Sequence, residues 1–214
     1  MLFFMFFLFV YFNGAFLLSH LLKGQLGIPI AMEKVQFNSS EITIANIIVP
    51  NPQKSESPYA IRIDHTLSEA PVVNYVKNPT KIKQLLIENV TMFMETYEDG
   101  SSNWKLLGEK IDAASKTNKK TDSQTLIDEL IIRKINLFII TPGKKPIGHP
   151  IDELKFTDVQ TAGGDLPNQI SRAILYKLIF NYRNLIDIPM DWGESVFNSF
   201  SHSVDTVIPF KNKE

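Results

Sequence analysis

The imidazoles able to bind a metal are at 20, 65, 149 and 202, and His202 with Asp205 is a near miss at ligand spacing. A zinc centre needs three or four convergent ligands backed by a second shell. The sequence assembles no such set, so no metal is expected. Zero Cys removes thiolate ligands, cysteine nucleophiles and disulfides together. Hydroxyl chemistry fares no better, because there is no Gly-x-Ser-x-Gly elbow and the serine-rich stretches at 38–40, 101–103 and 199–203 read as caps and turns. Gly163-Gly164 lacks the spacing that wraps backbone amides around a phosphate. Glu98-Asp99 and Asp152-Glu153 are adjacent pairs whose side chains point apart on a strand. A hydrolase would have to combine distant carboxylates or use His149. The chemistry therefore points to a non-enzymatic protein with no catalytic residues and no cofactor.

Function must then come from surfaces, and the composition narrows which ones. The chain has 214 residues with 22 Lys plus Arg against 23 Asp plus Glu, a net charge of −1 that gives no basic footprint for nucleic acid. The apolar content, 44%, suits one folded domain with its own core. Its distribution is skewed: Met1 to Leu22 carries no formal charge and holds 7 of the 15 Phe. As a helix, Leu2 to Leu22 reaches roughly 31 Å, about the thickness of a bilayer core. An uncleaved transmembrane anchor is the expectation, with a cleaved signal peptide and a buried core helix as alternatives.

Strand patterns dominate the rest of the chain. Val35 to Pro50 alternates through Ile42 and Ile44, then Ile47 and Val49, so the apolar set changes parity between 44 and 47. In a continuous strand that change moves the set to the other face unless a bulge or bend absorbs one residue. The change recurs in Leu85 and Ile87 followed by Val90, Met92 and Met94, and in Leu130 and Ile132 followed by Ile135, Leu137 and Ile139. Ile44-Ala45-Asn46-Ile47, Ile87-Glu88-Asn89-Val90 and Ile132-Arg133-Lys134-Ile135 align as an internal repeat, which suggests stacked strands burying a common face. The candidate apolar sheet face is Ile44, Ile47, Val49, Ile87, Val90, Met92, Ile132, Ile135 and Leu137.

Tyr59 to Asp64 starts another β run, while Val72 to Val76 reads as a short strand or a hydrophobic bridge. Asp99-Gly100 makes a turn, with Ser101, Ser102 or Asn103 capping a short helix through Trp104, Leu107 and Ile111. Ser115 to Gln124 has no apolar residue and reads as a solvated loop. Ile151 to Val159 alternates again. Asp165 and Pro167 can open a longer amphipathic helix whose candidate face is Ile170, Ile174, Leu178 and Tyr182. The fold class expected is α+β and β-rich: an N-terminal transmembrane helix, then a repeated antiparallel sheet with one short helix and one longer C-terminal helix.

Ser40-Glu41-Ile42-Thr43-Ile44-Ala45-Asn46-Ile47-Ile48-Val49-Pro50-Asn51-Pro52 after an apolar start, Lys83-Gln84-Leu85-Leu86-Ile87-Glu88-Asn89-Val90, Ser102-Asn103-Trp104-Lys105-Leu106-Leu107, Leu130 through Leu137 and Leu154 through Val159 together resemble the N-terminal part of bacterial AsmA-like proteins. The resemblance covers roughly residues 1–180. It implies an anchor over 1–22, a connector over 23–34, a β-rich AsmA-like domain over 35–188 and a tail over 189–214. It further implies a bacterial inner-membrane, single-pass protein with residues 23–214 periplasmic, presenting an apolar sheet face for lipid handling or envelope maintenance. The partners implied are membrane lipid and an envelope protein or a second copy, with no nucleic acid. A structural or assembly subunit with a closed core is the alternative.

Overall fold

Alternating aliphatic side chains carry six segments of the chain into strands, as their preference for a half-buried pleated surface dictates. A computed structural model describes residues 2–52, 55–117 and 124–161, and the side chains at 2–12, 112, 115, 116 and 161 lie outside that description. Helix α1 spans Leu2–Leu26. Strands β1 (Ala31–Phe37), β2 (Ile42–Val49), β3 (Ile61–Glu69) and β4 (Thr80–Glu95) come next, then helix α2 (Asn103–Thr117) and strands β5 (Thr125–Ile140) and β6 (Ile147–Thr161). The six strands form one sheet in sequence order.

The parity changes are resolved by single residues with positive φ. Asn46, Asn89 and Lys134 have φ of 50°, 55° and 53°, and Asp158 in β6 has φ of 54°. Asn and Asp enter this region several-fold more readily than most residues, and Lys does so at greater cost. The register keeps the same offset on both sides of these positions, so no residue is inserted: Ile44 pairs Thr66 and Ile47 pairs Ile63, while Ile87 pairs Ile132 and Val90 pairs Ile135. Each left-handed residue instead turns the strand over locally. Ile132 and Ile135, which strict alternation would put on opposite faces, thus join one core cluster together with Val90, Met92 and Leu137.

Two features differ from the expected fold class. The sheet is mixed, because β4 and β5 run parallel while every other pair is antiparallel. Parallel neighbours need a long crossover, and residues 96–124, with α2 inside, supply it. The second correction concerns the membrane: among the described residues no helix is long and apolar enough to cross one. From Asn13 onward α1 carries Ser19, His20, Lys23 and Gln25 and lies along β1, with Gly14 buried against Val35 and Phe37. The expected transmembrane anchor and single-pass inner-membrane localisation are corrected accordingly. The longer amphipathic helix, with Ile170, Ile174, Leu178 and Tyr182, lies outside the described residues.

Local chemistry sets the remaining connections. The Val35 to Pro50 run is a hairpin, reversed where the Asn38 N–H donates to the Glu41 carbonyl at 2.9 Å, and Val72–Val76 is a 3₁₀ turn. Ser102 caps α2, its Oγ accepting from the Lys105 N–H at 3.1 Å. Gly27 closes α1 with φ of 69°, and a Cβ there would meet the Ala114 Cβ at 2.7 Å, so only glycine lets the two helices approach.

Lys134→Asn should stabilise the protein by about 0.5–1 kcal/mol, and Asn89→Val should destabilise it by about 1–2 kcal/mol, because each changes the cost of positive φ. Urea unfolding of both variants checks the opposite signs, and equal effects would refute the steric account of the turn-over.

Candidate functional site

The register lines up side chains into rows across all six strands. One row runs Met32, Ile47, Ile63, Val90, Ile135, Ile151, and the next runs Val35, Ile44, Thr66, Ile87, Ile132, Leu154. A third runs Phe37, Ile42, Ser68, Leu85, Leu130, Phe156. Val49, Ile61, Met92 and Leu137 share a fourth. All nine residues of the candidate apolar face therefore fall in three of these four rows, and the three aligned segments occupy equivalent places in them.

Burial along the rows is graded. Ile132, Ile135 and Leu137 in β5 are at most 2% exposed, and Val90 and Met92 in β4 are nearly as deep. Met32, Ile42, Ile44, Ile47 and Ile63 in β1 to β3 stay half-buried. A second cluster of Ile28, Val49, Ala60 and Leu107, with Ile61 and Ile111 beside it, ties both helices to one end of the sheet.

The opposite face carries charged residues beside an apolar row of Leu67, Leu86 and Ile131. Lys34, Ala45, His65, Glu88, Arg133 and Glu153 form a row, in which His65 Nδ1 lies 3.4 Å from Glu88 Oε2 and Arg133 Nε donates to Glu153 Oε2 at 2.6 Å. Glu129 accepts from Lys155 and from Gln84, and these contacts hold its carboxyl below the usual carboxylate range. An aromatic ladder crosses this face: Tyr59 meets Phe93 edge-on at 5.3 Å, and Phe93 stacks on Phe138 at 5.1 Å. Phe138 in turn lies over Gly148, where a Cβ would approach its ring to 3.2 Å.

The structure also assembles polar groups whose meeting no spacing foretells. Glu95, buried, accepts from the Glu56 N–H at 2.6 Å, the Ser57 N–H at 3.2 Å and the Ser57 hydroxyl at 2.7 Å. Asn103, fully buried, donates to Asn51 Oδ1 and to the Phe93 carbonyl, each at 2.8 Å, and Trp104 Nε1 donates to the same carbonyl at 2.7 Å. Donors and acceptors are matched, so the network latches the loop before β3 and the start of α2 onto the end of β4. An exception lies on the apolar face: Thr66, 8% exposed, has an Oγ1 without a partner, between Ile44 and Ile87 in its row. An alternating pattern reads Thr66 as one more polar strand residue, and only the row reveals its neighbours.

His65 is on the polar face and His149 pairs with Leu137 in β6. Among the described residues no group of three His, Cys, Asp or Glu residues could hold a metal. No protein-family model matches the chain, and no curated protein does.

Thr66→Val should raise stability by about 1 kcal/mol, since it removes a buried hydroxyl that makes no hydrogen bond, whereas Ile135→Ala should cost about 2–5 kcal/mol. Thermal unfolding measures both, and a destabilising Thr66→Val would mean that the hydroxyl has a partner in solution. Lys155→Met should raise the Glu129 carboxyl toward its ordinary value. The depressed pKa contributes stability above the unfolded carboxylate range that is lost as pH falls through the folded value, so the variant should show a weaker loss on acidification in pH-dependent unfolding.

Proposed function

We propose that this protein is a non-catalytic lipid-handling module that holds apolar chains against its sheet, in keeping with its resemblance to AsmA-like proteins. The observation that supports this reading most directly is the graded cover of the apolar rows. Met32, Ile42, Ile44, Ile47 and Ile63 keep part of their aliphatic surface accessible, while Leu130, Ile132 and Ile135 in the same rows are sealed. An acyl chain lying over β1 to β3 would bury methylenes at about 0.8 kcal/mol each, and several such contacts suffice for micromolar retention.

Burial over β4 to β6 favours a second reading, an assembly subunit whose core is closed by its own chain. The two readings part at β2. Native mass spectrometry of the purified full chain, with extraction of bound lipid, should find phospholipid or fatty acid. Ile44→Asn combined with Ile47→Asn should lower that occupancy several-fold, while Arg62→Gln on the polar face leaves it unchanged. Lipid-free wild-type protein in a defined oligomer would sink the lipid reading and favour the assembly subunit.

A further inference from the structure

The link between β3 and β4 carries a compact exposed apolar patch. Val72, Val73, Tyr75 and Val76 are all exposed, Val73 at 55% and Val76 at 84%, and they form four of the large exposed hydrophobics within five residues. Concentrated exposure of this kind marks an interaction surface, unlike scattered single side chains. The patch is also held in shape. The Asn74 N–H donates to the Pro71 carbonyl at 2.8 Å, Asn74 Nδ2 donates to the Lys81 carbonyl at 3.1 Å, and the Tyr75 hydroxyl shares a hydrogen bond of 2.5 Å with Ser68 Oγ. Those bonds turn Tyr75 and Asn74 back onto the sheet and leave the valines facing outward.

The charge beside the patch selects its partner. From 70 to 83 the chain has Lys77, Lys81 and Lys83 and no Asp or Glu. All three lysines are exposed; Lys83 pairs with Glu69 at 3.1 Å, so Lys77 and Lys81 add net positive charge next to Val73 and Val76. Aliphatic side chains flanked by lysines match the boundary of an anionic bilayer, where apolar groups enter the acyl edge and ammonium groups meet phosphates. A flat protein partner would pair the lysines with carboxylates but would not need projecting valines.

We propose that the Pro71 to Lys83 segment is a peripheral docking tip for anionic membrane surfaces, inserting Val72, Val73 and Val76 and contacting phosphates through Lys77 and Lys81. Tyr75 of the tip is bonded to Ser68, which belongs to the apolar row of Leu85 and Leu130, so docking would set the end of the sheet face against the bilayer. Membrane contact does not require the sheet face to carry lipid.

The chain has no cysteine, so Val73→Cys, Val76→Cys and Ile147→Cys each give one labelling site on the full-length protein. Ile147 is 54% exposed at the start of β6 and serves as the control. With an environment-sensitive fluorophore and vesicles of phosphatidylcholine with roughly one-third phosphatidylglycerol, the labels at 73 and 76 should brighten several-fold and be quenched by lipid-borne quencher, while the label at 147 should not. Lys77→Gln with Lys81→Gln should weaken the response about tenfold, as should high salt. No brightening at 73 and 76, or equal brightening at 147, would overturn the tip. Brightening of protein that carries no lipid would uphold the tip while removing the lipid-handling reading.

Discussion

The structure depends on one constraint: rows across the sheet keep their aliphatic residues on one face although the sequence changes parity, and in β2, β4 and β5 a residue at the change takes positive φ. Asn46, Asn89 and Lys134 are those residues, and they lie at one level of the sheet, between the row of Ala45, His65, Glu88 and Arg133 and the row of Ile47, Ile63, Val90 and Ile135. The rows on either side of that level stay mainly apolar on one face, while the other face mixes charged residues with Leu67, Leu86 and Ile131. The local cost, about 1 kcal/mol or more for a non-glycine residue, is offset by burial of Ile132, Ile135, Val90 and Leu137 in a shared core.

That arrangement produces a sheet with two unlike faces. The polar face is satisfied by cross-strand pairs such as Arg133 with Glu153 and Glu129 with Lys155, which hold register more than they add stability, since exposed ion pairs contribute little. The apolar face is deepest at Val90, Met92, Ile132, Ile135 and Leu137 and less covered at Met32, Ile42, Ile44, Ile47 and Ile63. The helices reinforce this difference, because α1 and α2 meet around Ile28, Val49 and Leu107 at one end, far along the sheet from the 3₁₀ turn that leads into β4. The two ends of the molecule thus have different characters, one tied down by helices and a satisfied polar network and the other projecting exposed valines.

Much of the strand content is legible in the sequence because alternation is a local property. The parity changes at 44 to 47, 87 to 90 and 132 to 135 point to a bend or bulge, and they coincide with residues of positive φ. The hairpin between β1 and β2 reads as one run, although Asn38-Ser39-Ser40 supplies turn residues at its reversal. The transmembrane expectation for 1–22 comes from apolarity alone, which does not separate a helix facing lipid from one lying along a strand. Thr66, Glu95 and Asn103 are invisible as a group, since their neighbours come from residues far away in the chain.

The sequence by itself determined most of the strand content, the places where alternation changes parity, the apolar face of β2, β4 and β5, and the absence of cysteine. These are set by side-chain period, backbone sterics and composition, all of which act over a few residues. The tertiary structure decided that β4 and β5 run parallel, that Ile44, Ile87 and Ile132 share a row with Thr66, and that Val73 and Val76 project beside Lys77 and Lys81. Register and exposure depend on which distant segments meet, and the free energy of that meeting comes from shared burial, which no single segment contains.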